Sequence, residues 1–184
     1  MRVLYTFEQD RERRRRGTGV GTSHGLFSEA PRPRAHRHGP LRVRAAFALA
    51  GRALDAGDAA AVSGVLRDVQ QHFGLITGWA HGAGVLADKL AIDKTEAELQ
   101  RVFAPKVGGL MNILAALEPG QLRHIAFFSS AAAFFGNKGQ SDYAMANALL
   151  ASAGRSLARS VPGARVKVFH WGPWAGGMVD GALA

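Results

Sequence analysis

From about residue 46 onward, hydrophobic and polar positions follow two different rhythms along this chain. Within "DAAAVSGVLRDVQQHF" (58–73), Val62, Val65, Leu66 and Val69 recur at three- and four-residue spacing, and Asp58 stands where an N-cap carboxylate takes up free amides. This pattern predicts a helix that stops at Gly74. "LITGWAHGAG" then reads as a short buried strand running into a glycine-rich bend. From Thr95 to Leu117, the residues Leu99, Val102, Phe103, Val107, Leu110, Leu114 and Leu117 mark one apolar stripe, which predicts a single long helix. "HIAFFSS" is a near-continuous apolar strand, a second helix is expected over about 141–160, and "ARVKVFHWGPW" closes with another strand and a Gly-Pro loop. Strands separated by long helices imply right-handed crossovers, so the expected fold class is α/β, a parallel sheet with helices on both faces.

The first 45 residues have another texture. "RERRRRGTGVGTSHG" and "APRPRAHRHGP" are rich in Arg, Gly, Pro and His with little apolar periodicity, a composition that buries too little surface to offset the entropy of ordering. This segment holds 11 arginines against four acids, and so seven of the chain's nine net positive charges. Residues 1–45 therefore read as a basic leader, disordered or aberrant, ahead of a folded unit over 46–184. A basic arm can contact phosphates, but no aromatic interleaving or recognition motif accompanies this one, and nucleic acid is not the expected partner. "GTGVGT" (17–22) has the glycines of a phosphate-binding turn, yet it follows four arginines in place of an apolar strand.

Composition narrows the picture further. At 184 residues and 47% hydrophobic, the chain suits one domain with a real core. The absence of cysteine excludes disulfides and thiolate metal sites, no metal site is expected, and the cytoplasm is the expected compartment. No apolar segment follows the N-terminal arginines and none reaches the roughly 18 apolar residues of a membrane span, so no membrane association is expected.

In sheets of this kind, ligands lie beyond the carboxyl ends of the strands. Three such ends carry unusual residues: His81-Gly82-Ala83-Gly84, Ser129-Ser130 and Trp171-Gly172-Pro173-Trp174. Tyr143 falls in the first turn of the helix after Ser130, and Asn147 follows at i+4 on the same helix face. A phenol titrates near pH 10, so as a proton donor at neutral pH it gains from a cation that stabilises the phenolate; Lys106, in "APKVGG", is the candidate. Serine, tyrosine and lysine around a strand end suit the polarisation and protonation of a carbonyl while a cofactor delivers hydride. Taken singly, each residue has an ordinary explanation. A serine pair after a strand is usually a turn or cap, a helical tyrosine is usually core, Lys106 would suit a solvated helix face, and Trp79, His81 and His170 suit packing better than catalysis. The coincidence of position at successive strand ends points to a site.

The segments "GWAHGAGVLADKL", "RVFAPKVGGLMNILAAL", "FFSSAAAFFGNKGQSDYAMANALL" and "VFHWGPWAGGMV" together resemble the short-chain dehydrogenase/reductase superfamily, specifically the β-ketoacyl reductase domains of modular polyketide and polyunsaturated fatty acid synthases. "HWGPWAGGMV" is nearer to the fatty acid type. The resemblance covers about residues 55–184 and implies a Rossmann-like fold, incomplete in its N-terminal half and at its C-terminal end, where the family continues into a substrate lid and a further strand. Stand-alone members place a lysine four residues after the tyrosine. Here that position is Asn147, which resembles the exchanged lysine and asparagine places of megasynthase reductases.

By this resemblance Ser130 positions the ketone oxygen, Tyr143 donates the proton, Lys106 lowers the tyrosine pKa and holds the nicotinamide ribose, and Asn147 supports the active-site water and the lysine. Asp55 matches an adenine-edge contact, Gly82, Ala83 and Gly84 the backbone that approaches the cofactor, and Gly172 and Pro173 the turn beside the carboxamide. Asp88, in "LAD", resembles the marker of enzymes that yield the (3R)-hydroxyl product, Phe135 stands where the opposite class tends to carry tryptophan, and Trp174 and Met178 fall in the substrate region. The implied reaction is NADPH-dependent reduction of a β-ketoacyl thioester on an acyl carrier protein, with other synthase domains as partners. Two other readings stand beside it: an inactive fragment or interaction remnant without a complete dinucleotide site, and a nucleic-acid-associated protein acting through the arginine tail.

Overall fold

The protein is described by a computed structural model that covers residues 3–7 and 54–173. Among the described residues, four parallel strands form one sheet in the order β1-β2-β3-β4: β1 (Val3–Phe7), β2 (Gly78–Gly82), β3 (His124–Ser130) and β4 (Arg165–Trp171). Helix α1 (Ala59–Phe73) leads into β2, α2 (Glu96–Phe103) and α3 (Gly109–Ala116) join β2 to β3, and a short α4 (Ala132–Phe135) and long α5 (Ser141–Ser160) join β3 to β4. Among the described residues, no helix is long and apolar enough to cross a membrane.

Local chemistry accounts for the helix ends. Asp58 caps α1, its Oδ1 accepting from the Ala61 amide at 3.0 Å, and Gly74 ends that helix at φ +74°. That left-handed backbone costs glycine little. A capping box starts α2: Thr95 Oγ1 accepts from the Glu98 amide and Glu98 Oε2 accepts from the Thr95 amide at 2.8 Å. Helix α5 runs from Ser141 to Ser160, within the expected span.

Two elements depart from the sequence reading. No strand is expected before residue 46, yet Val3–Phe7 pairs in parallel with Gly78–Gly82. "VLYTF" is rich in β-branched and aromatic residues, and its signal is masked by the charged text that follows. The single helix expected over 95–117 is instead two α-helices joined by a π-helical turn, Ala104–Gly108, with Pro105 inside it. Proline supplies no amide to the ladder, and the Gly109 amide reaches back five residues to the Ala104 carbonyl. The inward face is consequently Val102, Lys106, Leu110, Ile113 and Leu117, whereas Val107 and Leu114 of the expected stripe are only partly buried.

The pleat sorts the sheet into two faces. Trp79 is in register with Ile125 and Val166, and His81 with Phe127 and Val168, so these side chains share one face. Helices α1, α3 and α5 pack on it, with Val62, Leu66, Ile113 and Leu150 fully buried. Gly154 lets α5 approach closely: a Cβ there would collide with Val168 and lie 3.2 Å from Phe127 Cδ2. The other face carries Phe128, Phe169 and Trp171, whose ring centroids lie 5.7 to 6.2 Å apart, with both phenylalanines stacked on Trp171.

Candidate active site

Lys106 lies by the carboxyl ends of β2 and β3, against Gly84, the Phe128 carbonyl and the Tyr143 ring. This side chain is only 4% exposed, against the solvated helix face that is the alternative to its role as a cation beside the tyrosine. Its Nζ donates to the Phe128 carbonyl of β3 at 3.1 Å and lies 6.0 Å from the centroid of the Tyr143 ring. Burial pushes the Lys106 pKa down from 10.5 to about 8. Room for the side chain comes from Gly84, just past β2, where a Cβ would stand 2.8 Å from Lys106 Cε and 3.2 Å from Nζ. The missing side chain of Gly84 thus accommodates the lysine, whereas a Cβ at Gly172 would meet nothing within 4 Å among the described residues.

Tyr143 sits in the first turn of α5, as its spacing from Ser130 predicts, and is half-buried. Asn147, one turn on, is fully buried and donates its Nδ2 to the Tyr143 carbonyl at 2.8 Å; its Oδ1 is buried and has no donor among the described residues. Ser130 is the last residue of β3, and its Oγ accepts from the Ala132 amide at 3.2 Å. The neighbouring Ser129 points to the opposite face of the sheet, is buried, and donates Oγ to the Asn147 carbonyl at 3.1 Å, fastening α5 to the end of β3. Sequence reasoning misses Ser129 as an anchor; the alternation of β3 is the signal that separates it from Ser130.

Asp55 is exposed and its Oδ1 accepts from the Gly57 amide at 2.8 Å, shaping the turn that leads into α1. This turn lies at the same end of the sheet, because Ala56 abuts Gly109 and its carbonyl accepts from Asn112 Nδ2 at 2.9 Å. Gly82 ends β2 and Ala83 is buried immediately beyond it. Pro173 is exposed past the end of β4. Phe135 is 88% exposed at the end of α4. Trp174, Met178 and the glycines of residues 17–22 lie outside the described residues.

Asp88 does not stand alone. Its Oδ2 accepts from Gln140 Nε2 at 2.8 Å, and the Lys89 amide donates to the Gly139 carbonyl at 2.9 Å. Farther along the same loop, Lys94 Nζ donates to the Ala87 carbonyl and pairs with Asp142 Oδ2 at 2.8 Å, while Asp142 Oδ1 accepts from the Tyr143 amide. The segment after β2 is therefore laced to the residues that introduce the tyrosine. Nothing in the sequence pattern marks Lys94, Asp142 or Gln140, because the pairs are 48 to 52 residues apart.

Residues 41–176 match the family model described as the KR domain. The chain is 42% identical over 146 residues to a polyunsaturated fatty acid synthase of Thraustochytrium sp. (strain ATCC 26185 / S-3), covering 77% of this chain and 5% of that protein. It is 38% identical over 99 residues to polyketide synthase PksL of Bacillus subtilis (strain 168), covering 54% and 2%. The chain thus spans only a small part of the curated relatives it matches. Among solved structures, a ketoreductase domain from the bacillaene assembly line superposes with a TM-score of 0.64 at 37% identity, over 71% of this chain and 33% of that one. A ketoreductase from the first module of phoslactomycin biosynthesis in Streptomyces sp. HK803 gives 0.66 at 32% identity, over 72% and 30%. The match over 41–176, with these relatives and solved structures, places the chain in the KR domain family, the ketoreductases of polyketide and polyunsaturated fatty acid synthases within the short-chain dehydrogenase/reductase superfamily.

Proposed function

We propose that this chain carries the reductive centre for a β-ketoacyl thioester, converting it to the 3-hydroxyacyl thioester with NADPH while the acyl chain rides on an acyl carrier protein. The observation that carries this reading is the buried ammonium of Lys106, bonded to the Phe128 carbonyl and 6.0 Å from the Tyr143 ring. Burying a lysine beside a tyrosine at a strand end costs stability and contributes nothing to packing that an apolar residue would not, which favours a chemical role.

NADPH, when bound, supplies the hydride. The residues present suit its nicotinamide half: Lys106 uses one of its three N–H donors on Phe128, and the buried Asn147 Oδ1 has no donor among the described residues. In this reading Tyr143 gives its hydroxyl proton to the ketone oxygen, Ser130 orients that oxygen by a hydrogen bond, and Lys106 holds a positive charge beside the tyrosine as its proton leaves. Asn147 fixes the first turns of α5 through the Tyr143 carbonyl. Asp88, through Gln140, and Phe135 are proposed to bear on which face of the ketone is presented, Asp88 in the sense of the (3R) product.

The test is an NADPH titration followed by protein fluorescence, then NADPH consumption with a β-ketoacyl thioester. Saturable binding and thioester-dependent consumption are expected. A folded chain that binds no NADPH and consumes none contradicts the proposal and favours an inactive remnant.

A further inference from the structure

His81 is fully buried at the end of β2, yet the chemistry proposed for Ser130, Tyr143 and Lys106 makes no use of it. Its ring lies 5.4 Å from Trp79 and 6.3 Å from Phe127, an ordinary packing environment for an aromatic side chain. What packing does not explain is Nε2, which lies 2.9 Å from the Lys106 carbonyl oxygen. A carbonyl only accepts, so Nε2 carries the hydrogen and donates. The acceptor belongs to the π-helical turn Ala104–Gly108. In such a turn the amides reach back five residues in place of four, so the ladder shifts and a carbonyl can accept a donor from outside the helix.

Lys106 is in this way held at both ends. Its carbonyl is bonded to His81 of β2 and its Nζ to Phe128 of β3, strands that are neighbours in the sheet. The ring is seated against Gly109, where a Cβ would lie 3.4 Å from His81 Cε1 and 2.8 Å from Ala56 Cβ. A flexible four-carbon stem has many conformations, and anchoring its main chain limits where its ammonium can reach.

We infer that His81 is a positioning residue: its Nε2–H, donated to the Lys106 carbonyl, holds the π-helical turn in the place from which the Lys106 ammonium reaches the end of β3 beside Tyr143. This rests on the catalytic reading for its consequence in turnover but not for its geometry. Burial lowers the His81 pKa to about 4, so the ring is a neutral donor at ordinary pH and takes no part as an acid or base.

The experiment compares His81→Gln, whose amide can extend a donor toward the same carbonyl, with His81→Asn, whose shorter amide cannot, and with His81→Leu. The readout is the pH titration of the lysine side chains by NMR in the full chain, with Lys106→Met identifying the Lys106 signal. In the parent and in His81→Gln, Lys106 is expected to titrate near about 8. In folded His81→Asn and His81→Leu it is expected to move toward the ordinary value of about 10.5 as the ammonium swings to solvent. If His81→Leu fails to fold, His81→Asn against His81→Gln decides the matter. An unchanged Lys106 titration in a folded variant without the donor overturns the inference, whether or not the chain turns over substrate. Where turnover is measured, His81→Gln is expected to retain most of kcat and His81→Asn to lose about tenfold or more, with KM little changed.

Discussion

Lys94 Nζ and Asp142 Oδ2 lie 2.8 Å apart with both side chains almost completely buried, 6% and 1% exposed. This pair joins the loop after β2 to the residue that precedes Tyr143, and Asp142 in turn accepts from the tyrosine's own amide. A buried pair is a weak source of net stability, but removing one partner strands the other charge. Lys94→Met is therefore expected to lower unfolding stability by roughly 3 kcal/mol. Adding Asp142→Asn should restore part of that loss, which urea unfolding of the single and double variants would measure.

A second prediction concerns Gly84. An alanine Cβ there would meet the far end of the Lys106 side chain, 2.8 Å from Cε, and the lysine rather than the backbone would give way. Gly84→Ala should leave stability within about 1 kcal/mol of the parent, because the displaced group is flexible. Its turnover should nevertheless fall by about a hundredfold, the scale of a misplacement near 1 Å. Equal losses of stability and turnover would argue that Gly84 serves the fold alone.

The buried ammonium sets the alkaline side of the stability profile. Unfolded, Lys106 holds its proton to about pH 10.5; folded, it releases it near 8. Between those values the unfolded chain binds more protons, so stability rises with pH across this window, by roughly 3 kcal/mol at most. Lys106→Met should abolish that rise. It should also be more stable than the parent at pH 7 by about 1 to 3 kcal/mol while losing turnover, a trade of stability against function measurable by thermal unfolding at pH 7 and pH 10.

On the acid side, His81 gives the matching prediction. Its pKa is lowered from 6.5 to about 4, chiefly by burial, so the unfolded chain takes up the proton first as pH falls. This contribution to stability is complete above pH 6.5 and declines toward pH 4, by roughly 3 kcal/mol in all. His81→Gln should flatten that part of the profile in acid unfolding experiments.

The legibility of this chain follows from the range of the forces involved. Helices α1 and α5 are readable because caps and apolar periodicity act within a few residues, as Asp58 and the run from Ser141 show. The placement of Ser130 at the end of β3 and of Tyr143 in the first turn of α5 is readable because the strand and helix patterns around them are local. The π-helical turn is not, since the stripe from Leu99 to Leu117 is compatible with an unbroken helix and what distinguishes the two is the backbone bond from the Gly109 amide to the Ala104 carbonyl. Strand β1 is hidden for a different reason: five residues give too short a pattern, and what identifies them is pairing with Gly78–Gly82 far along the chain. The contacts of Lys94 with Asp142, Asp88 with Gln140 and His81 with Lys106 are likewise tertiary, and no local spacing encodes them.

The central claim is that Tyr143, beside the buried Lys106 ammonium, transfers the proton in ketone reduction. Its most direct test is the rate of thioester-dependent NADPH oxidation by the parent chain and by Tyr143→Phe, which keeps the ring and removes only the hydroxyl. The expected result is a loss of about 10² to 10⁴ in kcat with NADPH binding retained. Full turnover by Tyr143→Phe would contradict the account.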